Sequence, residues 1–217
     1  MRSITFAFAL LLLFQVTVAQ SDRYTAAMEK NIALIDSART VEAWTDLANN
    51  FERIAEAEKN QWLPWYYAAL GNVMSGFQQA NPQGGNIDKL DPIADKASMQ
   101  IAKAEELSSE NSEIFLVKKL IATLYMVSDP QGRWQKYGPM STEALAKAKV
   151  LDPENPRIYL LEGQDKLYTP EEFGGSKAAA KELFQESEKR FGTFKPESAL
   201  HPNWGLPMVR YYKTQTN

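Results

Sequence analysis

Between Leu145 and Gly163 the chain reads LAKAKVLDPENPRIYLLEG, and this stretch limits the possible folds more than any other. Ala and Leu at helical spacing run up to Leu151. Pro153 and Pro156 then stop one helix and suit the first turn of the next. The second helix starts near Arg157 and carries a small residue, Gly163, on one face. A short Asp-Pro-Glu-Asn-Pro turn between two amphipathic helices is the joint of a helical hairpin array. The rest of the chain can be read as copies of that joint.

The same periodicity predicts further helices. They fall over 22–38 (Tyr24, Met28, Ile32, Ile35), 41–58 behind a Thr40 cap, 61–76 and about 91–107. Others fall over 113–127, 141–151 behind a Ser141 cap, 156–168, and 176–191 behind a Ser176 cap. Loops are expected at Asn81–Asn86, at Asp129 to Pro139 and at Thr169–Gly175. No alternating strand pattern occurs. A Pro-containing tail, 193–217, has room for one short helix near Met208–Tyr212 and is expected to pack on the last repeat.

The first 19 residues read differently. Arg2, the apolar run Ile4–Phe14 and the small residues before Gln20 form a secretory leader pattern, with cleavage expected after Ala19. The run is shorter than the roughly 20 residues of a spanning helix. With no cysteine in the chain, neither a disulfide framework nor a lipid-anchored lipoprotein is expected. A periplasmic or secreted protein is. The net charge of −3 argues against nucleic acid as a partner.

Internal repetition decides the architecture. Tyr67, Leu70 and Gly71 match the first half of a W-x2-L-G-x2-Y pattern. Leu145, Ala148 and Pro153 match the second half in spacing. Tyr159 with Gly163 opens the next unit, and Ala180, Phe184 and Ser187 close it. On these residues the span 20–192 resembles the tetratricopeptide repeat family. The aromatics Tyr67, Phe115 and Tyr159 recur after 48 and 44 residues rather than about 34, so the array is divergent. The resemblance implies an all-α right-handed superhelix of about four hairpins. It also implies capture of a protein or peptide in a groove lined by Trp65, Asn72, Leu116, Leu120, Arg157, Leu160 and Gln164. Tyr67, Gly71, Leu145, Ala148, Gly163 and Phe184 would be packing positions.

Chemistry is sparse. The sole His, His201, is without a Cys for a metal site and is expected to lack a local Ser or acid partner for general-base work. Gly84-Gly85 and Gly174-Gly175 lack any phosphate-loop context and read as turns. Asp88, Asp91 and Asp95 have the wrong spacing for a calcium loop. Thr169-x-x-Glu172 reads as a capping box. No catalytic residue, metal or cofactor is called for, and the expected function is a non-catalytic scaffold of a bacterial cell envelope. Arg133, Trp134 and Tyr137 offer a second surface with charge and aromatic area. The alternative is a small-molecule or carbohydrate-binding protein, or an enzyme accessory subunit, using Trp62–Tyr67 and the long loops.

Overall fold

The computed structural model describes residues 22–80 and 90–217; the leader reading and the loop containing Gly84, Gly85 and Asp88 lie outside these. The fold is all-α. Helix α1 spans 22–35. It is followed by α2 (Val41–Ala57), α3 (Trp62–Gln79), α4 (Leu90–Leu107), α5 (Ser112–Val127), α6 (Pro130–Leu151), α7 (Pro156–Tyr168), α8 (Lys177–Phe191) and α9 (Leu206–Gln215).

Local chemistry sets most boundaries. Thr40, Asn111, Asn155 and Ser176 each cap a helix by accepting a backbone N–H with the side chain. Pro156 takes the first position of α7, where no amide partner is needed. Three expectations fail. The predicted loop at 129–139 is helical, because α6 begins at Pro130 behind an Asp129 cap and runs through Pro139. A mid-helix proline normally breaks a helix. Here tertiary contacts override it: Arg133 is tied to Asp91, and Tyr137 stacks on Tyr125 at 4.6 Å. Ser141 is therefore no cap; it is buried, 3.4 Å from the Thr123 hydroxyl. The Thr169 capping box is also absent, since Glu171–Phe173 forms a single 3-10 turn without a side-chain cap.

Helices α3, α5, α7 and α9 stand parallel. Tyr66 meets Glu113 near the starts of α3 and α5, and Gly76 meets Leu124 near their ends. Arg157 meets Glu113, and Asp165 meets Lys119, in the same order along α7. Gly205 lies against Leu160, and Tyr212 against Tyr168, so α9 runs beside α7. The partner helices α2, α4, α6 and α8 pack outside this row. The central helices α3 and α5 are buried on nearly every side, which explains their continuous apolar sequence.

Gly163 is the close-approach position of the last hairpin. A Cβ there would lie 2.5 Å from Phe184 Cε1. Phe184 is itself stacked on Tyr212 at 5.3 Å and has no room to turn aside. Gly163→Ala is expected to cost about 1–3 kcal/mol by overpacking. Thermal unfolding checks this, and an unchanged midpoint would show that the ring can yield.

Candidate functional site

The expected peptide groove is not presented to solvent. Trp65, Asn72, Leu116, Leu120, Arg157 and Leu160 are all buried. Trp65 lies under Lys103 at 3.9 Å, and Asn72 donates to Gln100 Oε1 at 2.7 Å. The three leucines belong to the core. Gln164 alone is half-buried.

Helix α4 covers Trp65 and Asn72, while the chain's own C-terminal segment, which crosses the starting ends of α3, α5 and α7, covers Arg157 and Leu160. Trp204 Nε1 donates to the Tyr66 hydroxyl at 2.8 Å, 138 residues away in sequence. Tyr67 donates to Leu200 O at 3.0 Å, and Arg157 Nη1 to Trp204 O at 3.3 Å. Beneath them, Glu113 accepts from Arg157, from Asn155 Nδ2 at 2.6 Å and from Tyr66 at 3.1 Å. Burial, and then the Glu113 charge, push the Tyr66 hydroxyl well above its ordinary range, so it stays neutral. This is a satisfied structural network, closed to ligands.

The opposite end of the helix row is different. There α5 hands over to α6, and α7 to α8. Four aromatic side chains of the described residues are exposed, and all belong to this side: Trp134 (59%), Tyr168 (68%), Phe173 (77%) and Tyr211 (58%). Trp134 lies over Gly138 on α6, the helix that also carries Tyr137, stacked on Tyr125, and the exposed Met140. Arg133 and Lys136 flank it, Arg133 holding Asp91 at 2.9 Å and Lys136 lying 4.7 Å over the Tyr137 ring. Tyr168 ends α7 and touches Tyr212, which touches Tyr211.

The turn that carries Phe173 is fixed by hydrogen bonds to α7. Lys166 Nζ donates to Gly174 O, and the Ser176 amide donates to Lys166 O at 2.8 Å. Gly175 makes the turn possible, because a Cβ there would fall 1.7 Å from Thr169 O.

The Arg133 guanidinium holds the Asp91 carboxyl below its usual range, chiefly by hydrogen bonding. A depressed carboxylate contributes stability above its unfolded value and loses it as pH falls through the folded value. The first turns of α6 are therefore expected to loosen in acid, below about pH 4. Trp134 emission followed down a pH titration reports this, and Asp91→Asn should remove the transition.

Of the residues singled out from sequence, Arg133, Trp134 and Tyr137 are brought together on this edge. The seven groove residues are not. Tyr168, Phe173 and Tyr211 were missed. Tyr168 and Phe173 precede Gly174-Gly175, a stretch that read only as a turn, whereas Tyr211 reaches this side through the packing of α9 on α7. An open groove of about 460 Å3 also runs between α2 and α4, past Glu52, Lys96, Met99 and Lys103. Its lining charges are mixed, and Lys96 is already paired with Glu52 at 2.7 Å. It is no enclosed pocket of the kind that a ligand under Trp62–Tyr67 would need. Among the described residues no cluster of His, Cys, Asp or Glu is arranged for a metal, and no helix is long and apolar enough to cross a membrane.

Fold and site together define a class: an all-α hairpin array whose predicted groove positions are buried by α4 and by its own tail, and whose exposed aromatics lie at the opposite end. No protein-family model matches the chain, tetratricopeptide models included, and no curated protein matches it. Among solved structures it is similar to the HusA haemophore from Porphyromonas gingivalis. Identity is 33%, covering 89% of this chain and 92% of that one, with a TM-score of 0.78. The chain belongs to the family of that haemophore.

Proposed function

We propose that this chain is an exported, non-catalytic haem-capturing protein that takes the porphyrin on the aromatic edge formed by Trp134, Tyr168, Phe173 and Tyr211. The observation that carries this reading is the 33% identity to a haemophore over nearly the whole of both chains. It favours the small-molecule alternative over peptide capture, for which the required groove positions are buried.

The residues at the edge fit such a ligand. A porphyrin is a flat apolar disc bearing two carboxylates. Flat exposed aromatic faces suit the disc, through apolar burial and ring stacking. Lys136, Lys166 and Lys177 stand at the same end to meet carboxylates. Bound haem would bring an iron able to take a donor atom from the protein. His201, expected from sequence to lack a local Ser or acid partner, has both and is poorly placed for this: its Nδ1 lies 2.8 Å from Ser198 Oγ, its Nε2 3.2 Å from Glu197, and its ring packs on Trp62 at the far end.

Titration of the purified protein with haem and with iron-free protoporphyrin tests the reading. Saturable binding with a Kd of about 1 μM or tighter is expected, about −8 kcal/mol, read by Soret shift and tryptophan quenching. Linear, non-saturating signals with both ligands would contradict it.

A further inference from the structure

We infer that the open groove between α2 and α4 is a second binding site, which takes an extended peptide segment of another protein and anchors one of its backbone carbonyls on Gln100. The two helices run the same way. Glu52 meets Lys96 at one end of the groove, and Ala55 and Glu56 stand opposite Lys103 and Leu107 at the other. Lys103 lines both parts, so the groove is continuous. From Asp95 to Leu107 it follows α4 for about 18 Å, the reach of about five extended residues. None of Trp134, Tyr168, Phe173 and Tyr211 lines it, so the inference is independent of the porphyrin reading.

Gln100 lines this groove and is only 3% exposed. Its amide is oriented from α3. Asn72 Nδ2 donates to Ala68 O at 3.2 Å and to Gln100 Oε1 at 2.7 Å. A helix carbonyl only accepts, so Asn72 must turn its nitrogen to it, and Gln100 must then meet Asn72 with its oxygen. That leaves Gln100 Nε2 buried with no partner. A buried donor without an acceptor is costly, and a carbonyl arriving in the groove removes that cost. Asn72, read from the sequence as an amide for ligand backbone, thus passes the role to Gln100. The walls suit a peptide. Lys96 is neutralised by Glu52 at 2.7 Å, and Asp95 accepts from the Tyr125 hydroxyl. With both signs of charge present, the groove offers no strong field to an ion, whereas a peptide backbone is neutral and carries donors and acceptors alike. Met99 (63% exposed) and Leu107 (41% exposed) offer apolar area to its side chains.

Selection of a phage-displayed random heptapeptide library on the full chain, followed by calorimetric titration with the enriched peptides made synthetically, tests this. Enriched peptides should have low net charge and at least one large apolar residue, and bind with a Kd of about 100 μM or tighter. Gln100→Met should weaken them at least about tenfold, while its thermal midpoint stays within about 3 °C of wild type. A purely structural Gln100 would instead lower the midpoint and leave affinity unchanged. Met99→Ser with Leu107→Ser changes two exposed side chains and should weaken binding at least about fivefold. This double variant decides the matter alone should Gln100→Met unfold. Enriched peptides that bind Gln100→Met or the double variant as tightly as wild type would overturn the proposal. So would a selection that enriches no peptide, including one in which decanoate binds the groove saturably instead.

Discussion

Arg157→Ala is expected to cost about 3–5 kcal/mol of folding free energy, the largest effect of any single change considered. Arg157 is fully buried, and its Nε lies 3.1 and 3.0 Å from the two Glu113 oxygens. Truncation leaves the Glu113 carboxylate buried with only Asn155 and Tyr66 as donors. A buried charge without its counter-ion costs more than the pair contributes. The loss also reaches the tail, because Arg157 donates to Trp204 O and its guanidinium lies 4.7 Å from the Phe194 ring centre. Hydrogen exchange in 198–205 should rise together with the drop in stability. Replacing both partners by apolar residues, Glu113→Leu with Arg157→Met, should cost less than either single change. Urea unfolding at constant slope measures this. A loss under about 1 kcal/mol for Arg157→Ala would show that water reaches Glu113.

The second large effect concerns binding alone. The triple variant Trp134→Ala, Tyr168→Ala, Phe173→Ala should lose at least about 30-fold in porphyrin affinity, about 2 kcal/mol for the loss of a central aromatic anchor. These side chains are mostly in solvent, so each truncation should change stability by no more than about 0.5 kcal/mol. Binding and folding therefore separate in this variant. A matched change in the α2–α4 groove, Met99→Ala, should leave affinity near wild type. Tight binding by the triple variant would move the site off the aromatic edge.

The hairpin architecture was legible because it rests on local signals. Asn155 and Pro156 cap and start α7, Ser176 caps α8, and Gly163 meets Phe184 where the repeat spacing put it. What was hidden depends on contacts distant in sequence. Nothing near Arg157 shows that Trp204 will lie over it, so a residue read as a ligand contact is a buried counter-ion. Pro139 argued locally for a loop, and the Arg133–Asp91 and Tyr137–Tyr125 contacts, reaching back to α4 and α5, reversed that. The edge was half visible. Trp134 and Tyr137 stood out by composition, whereas Tyr168 and Tyr211 join it only because α9 packs parallel to α7.

The central claim is the location of the porphyrin. Backbone amide shifts of the isotopically labelled protein, titrated with iron-free protoporphyrin, test it most directly, since no paramagnetic iron broadens the signals. The largest shifts are expected at 134–140, 168–175 and 211–212, with little change at 198–205. Largest shifts at Glu52, Lys96, Met99 and Lys103 instead, with the aromatic edge silent, would contradict the account and place the ligand in the groove between α2 and α4.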